Sequence, residues 1–187
     1  MNEQALWAAR ILEDGFDRVR EGVGHALLGM GPEHLLHRPG PKANSIGWLV
    51  WHLTRIEDDH FASLAAVLAG GRPPARGNHE VPAGQVWPEW EESFGLPYAA
   101  GATGVGHRPE EVDAFTVGDA DLLRGYHEAV HARVVAVLRD LRIEDFGRIV
   151  DLRWTPHLTA AVRMMSVLND ATQHVGQAAY VRGLLRG

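Results

Sequence analysis

"SVLNDATQHVGQAAYVRG", residues 166–183, sets an aspartate and a histidine four apart inside what reads as a long apolar helix. Residues at that spacing share one helical face, with Cβ atoms about 5–6 Å apart. Asp170 and His174 are therefore neighbours, and Gln177 follows one turn on. Two readings compete. The pair is either an ordinary polar pairing of carboxylate and imidazole, or two metal ligands on consecutive turns that need a third from elsewhere. A site of the second kind belongs in the core of a helical bundle, where side chains from facing helices meet.

Such a bundle is legible in the rest of the chain. Residues 3–29 carry Leu6, Ala9, Leu12, Phe16, Val19, Val23 and Leu27 at the 3–4 spacing of one apolar helical face. "GMGPEH" (29–34) then breaks the pattern with two glycines and a proline. Asn44 or Ser45 can cap a second helix over about 45–70, which carries Trp48, Leu49, His52, Ile56, Asp59 and Ser63 along one side. A third helix, about 118–141, aligns Leu123, Tyr126, Val130, Val134, Leu138 and Leu141. Residues 143–154 form a connector with room for a short extended piece. Thr155 as cap and Pro156 at the first helical position then predict the start of the fourth helix, which runs to about 185.

Between helices 2 and 3 lies a different kind of segment. Residues 71–117 hold most of the prolines and sustain no period. Connections this long are uncommon in compact domains unless they serve a site or are disordered. Trp87, Trp90, Phe94 and Tyr98 argue against disorder. The expectation is an all-α, four-helix bundle in one domain over residues 1–187. A long ordered crossover lids one end, and helices 2 and 3 run parallel because it joins them.

Composition narrows the function. A net charge of −6 argues against a nucleic-acid partner. No apolar run approaches the roughly 20 residues of a membrane span. The start of the sequence lacks a basic region before its apolar residues, so no secretory signal is read there, and the expectation is a cytoplasmic protein. There is no cysteine, hence no disulfide, no thiolate ligand and no cysteine nucleophile.

Among 11 histidines, His52 is the best third partner for Asp170 and His174. It sits mid-helix between Trp48, Trp51, Leu49 and Ile56, and a metal plus one acceptor would satisfy both of its ring nitrogens. On pattern alone, a surface pair and a satisfied core histidine remain the open alternatives. His127 and His131 form a rival pair in helix 3, with His127 near the edge of the apolar stripe and His131 further towards solvent; packing, a subunit contact or an outer-shell place suits them better. His60 and Asp59 lie about 10 Å along the axis from His52, and Asp59 is expected to pair with Arg55. His25, His34, His37, His79, His107 and His157 fall in connectors or near helix ends. "GATGVGH" (101–107) lacks the strand and helix of a phosphate loop.

"RPGPKANSIGWLVWHLTRIEDDHFASLA" (38–65) and "SVLNDATQHVGQAAYVRGLL" (166–185) resemble the second and last helices of the DinB-like superfamily, which includes the mycothiol-dependent maleylpyruvate isomerases. "GQVWPEWEESFGLP" (84–97) is similar to the crossover of some members. The resemblance covers nearly the whole chain. It implies a divalent metal, zinc first and nickel second, held by His52, Asp170 and His174. It further implies a low-molecular-weight, mycothiol-like thiol as co-substrate, and a transferase or isomerase acting on a small electrophile. Gln177 would face the same cavity. Arg55 and Arg182 are the candidates to anchor a carboxylate of thiol or substrate, with a surface salt bridge as the competing reading for each. A homodimer fits the same picture. The reading from another class is a non-enzymatic metal- or small-molecule-binding bundle.

Overall fold

A computed structural model describes residues 3–76 and 81–186. Residues 77–80, with His79 and a small part of the expected crossover, lie outside the described residues. Four long helices form the body: α1 (Glu3–Leu27), α2 (Ile46–Leu68), α3 (Ala120–Arg139) and α4 (Ala160–Arg186). The expected bundle is present. Ser45, not Asn44, caps α2 by accepting from the Trp48 amide, and Asp119 caps α3 in the same way.

Side-chain pairings give the helix directions. Gly15 of α1 lies against Leu168 of α4 and Gly22 against Val175, so α1 and α4 ascend together. Asp17 meets His131 and Glu13 meets Arg139, so α1 and α3 run in opposite senses. Gly47, at the start of α2, approaches Val117 just before α3 begins. Helices α2 and α3 are therefore parallel, as the long link between them demands. Helix α2 packs against both α3 and α4, while α1 lies diagonally across from it.

Closing the third side of α2 is the crossover. Trp87 and Phe94 insert into the core, and Trp90 and Tyr98 pack against it. Burying this segment requires partners for its backbone amides. Asp58 supplies them, accepting from Val86 N and Trp87 N at 2.8 Å each and from the Tyr126 hydroxyl at 2.9 Å. This sheath explains why α2 buries Arg55 and Asp58 as well as its apolar side chains.

One expected boundary is corrected. Helix α4 starts at Ala160, not at Pro156. Strands β1 (Ile149–Asp151) and β2 (Leu158–Thr159) pair antiparallel, and Pro156 follows a cis peptide bond in the turn between them. The hairpin is organised by Asp151, 1% exposed, which accepts from the Arg153 backbone and side chain and from Arg163. Thr159 takes the capping role expected of Thr155, its hydroxyl accepting from Val162 N. Among the described residues no helix is long and apolar enough to cross a membrane.

Candidate metal centre

His52 is held from two sides. Its ring stacks on Trp48, 4.8 Å between centroids and 12° from parallel. Its Nδ1 lies 2.6 Å from the carbonyl oxygen of Thr103 on the crossover. A carbonyl only accepts, so Nδ1 carries the proton and Nε2 keeps its lone pair. Gly104, at φ +90°, makes that approach feasible. A Cβ there would stand 2.7 Å from His52 Nδ1 and 3.0 Å from both Trp48 and Trp51.

On α4, His174 is oriented by its own helix, its Nδ1 donating to the Asp170 carbonyl at 2.8 Å. The same nitrogen is 3.3 Å from Asp170 Oδ2. Its hydrogen is committed to the backbone, so Oδ2 is buried with no hydrogen bond of its own. The two imidazoles meet edge to face at 4.5 Å. One ligand atom from each of His52, Asp170 and His174 lies within 4.8 Å of the other two.

These residues fit a metal ion. A buried carboxylate oxygen without a partner is costly unless a cation or donor meets it. Two imidazole nitrogens and one carboxylate oxygen are a donor set that suits zinc and its late first-row neighbours. The local charges agree. Burial drives His52 down to about 4, against the Thr103 hydrogen bond, so it stays neutral at neutral pH. Burial also opposes charge on His174, but hydrogen bonding and attraction to Asp170 outweigh it and raise its pKa. For Asp170 burial is likewise outweighed, by His174, and its pKa is lowered.

The other candidates are dispersed. Arg55 is fully buried, donating to the carbonyls of Ala100 and Ala102, to Asp58, Gln85 and Tyr126, and lying over the Trp87 ring. That guanidinium is spent on holding the crossover, which leaves it unable to anchor a ligand in this arrangement. Its partner is Asp58, three residues on; Asp59, the expected one, instead accepts from Gln85. Arg182 donates to the Leu28 carbonyl and ties the ends of α1 and α4 together. Gln177 is exposed and lines a groove of about 540 Å³ with Leu49, Lys42 and Tyr180; no triad residue borders it.

His127 and His131 are more enclosed than their helical projection suggests, at 1% and 9% exposure. His127 donates to Thr54, and burial takes its pKa down to about 3; His131 faces Asp17. These are packing contacts of α3 with α2 and α1. Neither belongs to the three-residue cluster.

Three contributors were not singled out from sequence. Thr103 and Gly104 act through the backbone, and the glycines of "GATGVGH" were the only trace. Glu57 is the third, 1% exposed with both carboxyl oxygens unpartnered. Burial, then the charges of Asp170 and Asp58, push its pKa up to about 8. It is an acid that stays protonated at neutral pH close to the triad.

Comparison with known proteins agrees with this architecture. The DinB superfamily model matches residues 15–178, a span that contains α2, α3, most of α4, the second half of α1 and the three clustered ligands. The chain belongs to the DinB superfamily. A solved structure of a conserved protein from Enterococcus faecalis is similar to this DinB-superfamily chain at 27% identity and a TM-score of 0.77. The match covers 92% of this chain and 94% of that one. Among curated proteins none matches.

Proposed function

We propose that residues 1–187 form one domain working as a divalent-metal-dependent enzyme, in which a low-molecular-weight thiol attacks a small electrophile or assists its isomerisation. The carrying observation is the convergence from two facing helices of His52, His174 and an Asp170 oxygen that no hydrogen bond claims. Zinc fits this donor set best and nickel also fits. Such a cation, when bound, lowers the pKa of a thiol or water and polarises an electrophile. The thiol must come from outside, because the chain has no cysteine.

The protein's own residues have definable tasks. The carbonyls of Thr103 and Asp170 keep both imidazoles in the tautomer that presents Nε2. The Trp48 ring shields one face of His52 from water. Glu57 holds a proton beside the Asp170 carboxylate. Metal analysis of purified protein should find about one ion per chain, and His52→Ala, Asp170→Ala or His174→Ala should each remove most of it. Consumption of an electrophile such as maleylpyruvate, with mycothiol or a surrogate thiol, should then require both metal and thiol. A metal-loaded protein giving only the uncatalysed rate would favour a non-enzymatic binding bundle, and a rate that survives chelation would overturn the metal mechanism.

A further inference from the structure

Beside the triad, a cleft of about 800 Å³ opens between the C-terminal half of α2, the crossover and the β1–β2 hairpin. Its polar wall holds Arg76, Arg153, Arg163 and His60. Three guanidinium groups share this wall with one carboxylate, Asp59, which is already engaged by Gln85. Asp151 lies behind them and grips Arg153 and Arg163, which fixes both side chains in place. Among the described residues, Arg153 reaches Asp151 through its backbone N, Nε and Nη2 and Arg163 through Nη2, which leaves Nη1 of each uncommitted there. Among the described residues, Arg76 donates through its Nε to the Arg153 carbonyl at 3.1 Å. Burial and the neighbouring charges of Arg163 and Arg153 take the His60 pKa down to about 3, so its ring is neutral and adds no charge.

The mouth of the cleft has a different character. Trp154 and Val105 are 58% and 73% exposed there, and Val81 is 52% exposed. An exposed indole beside preorganised guanidinium groups suits a molecule with an apolar body and a planar anionic end. Arg163 precedes Asp170 by seven residues on α4, two helical turns, or about 10 Å along the axis. Thr103 also borders the cleft and holds His52. One molecule can therefore reach from the arginines towards the triad.

We infer that this cleft binds the carboxylate of a partly apolar small molecule through Arg76, Arg153 and Arg163. Resting on the proposed function, this makes the electrophile an organic acid whose reacting atom lies about two helical turns from its carboxylate. Three arginine side chains around a carboxylate provide paired, charge-assisted N–H donors, which an uncharged amide of the same shape cannot use equally.

The test is a titration of the full-length protein with 4-phenylbutyrate and, separately, 4-phenylbutyramide, followed by ¹H–¹⁵N NMR. The acid should shift the amide signals of Gly101, Thr103, Val105 and Arg153, and the amide should not. Arg76→Gln and Arg163→Gln should each weaken binding of the acid about tenfold, as expected for loss of a hydrogen bond to a charged group. Arg76 is exposed and, among the described residues, its hydrogen bond goes to a carbonyl, so Arg76→Gln should leave unfolding unchanged even if Arg163→Gln loosens the hairpin. Equal binding of acid and amide, no binding of either, or full affinity in Arg76→Gln would overturn the inference. Metal content measured on the same samples separates the two proposals. Retained metal with no carboxylate binding overturns the cleft alone; carboxylate binding in a chain that takes up no metal sustains the cleft and overturns the catalytic reading.

Discussion

Gly104 is the residue on which the geometry of His52 turns. Its positive φ and the lack of space for a Cβ make Gly104→Ala doubly unfavourable, by about 1–3 kcal/mol from the backbone alone. Denaturant unfolding should show that loss, and metal retention should fall with it because the Thr103 carbonyl can no longer reach Nδ1. His174 governs the response to acid. A metal ion must displace the proton this imidazole holds, and its pKa is raised above the ordinary 6.5. Affinity should therefore fall as pH drops, beginning near neutrality, by about tenfold per pH unit for each proton displaced. Metal titrations between pH 8 and 5.5 test this, and a flat profile would contradict it. Glu57 predicts the opposite slope in the stability of metal-free protein. Its folded pKa of about 8 exceeds the unfolded 4.5. Between those values the unfolded chain binds fewer protons, so stability falls as pH rises. Glu57→Gln should flatten that fall, recovering on the order of 1–3 kcal/mol at pH 8 relative to pH 5. Of these residues, His52, Asp170 and His174 could be nominated from type and spacing, and the family resemblance made them a set. Thr103, Gly104 and Glu57 could not, because a carbonyl, an absent Cβ and a buried acid leave no periodic trace.

The crossover earns its order from an ion pair hidden under it. Arg55 and Asp58 are 0% and 1% exposed at the side chain, and between them they satisfy two amides and two carbonyls of the segment. Asp58→Ala would leave Arg55 buried without a counter-charge, a loss of about 3–5 kcal/mol. The same variant should expose residues 84–98 to protease and rapid amide exchange, whereas the wild type resists both; equal protection in the two would refute the pin. Four aromatics were enough to read the crossover as ordered. They could not tell which acid served it, since the i, i+4 rule favours Asp59 on an exposed helix and this helix is sheathed on that side. Helix α4 misled in a related way. Thr155 and Pro156 carry the local signature of a helix start, but Asp151 gathers Arg153 and Arg163 and folds those residues into a hairpin first. Tertiary pairing displaced a sound local signal by four residues.

Across the whole molecule, the parallel run of α2 and α3 was legible from the length of the link between them, while the pairing of α1 with α4 comes from contacts such as Gly15 with Leu168. What the sequence lacked was the face of α2 covered by the crossover, and hence the location of the cleft. That cover has a thermodynamic corollary. Thr103 borders the cleft and also fixes His52, so a guest that displaces its carbonyl changes the affinity for metal, and linkage makes the effect mutual. A fivefold change in metal affinity on filling the cleft would appear as a fivefold change in guest affinity on adding metal, a coupling of about 1 kcal/mol. The loop thereby serves as a shared ledger between two sites that have no ligand atom in common.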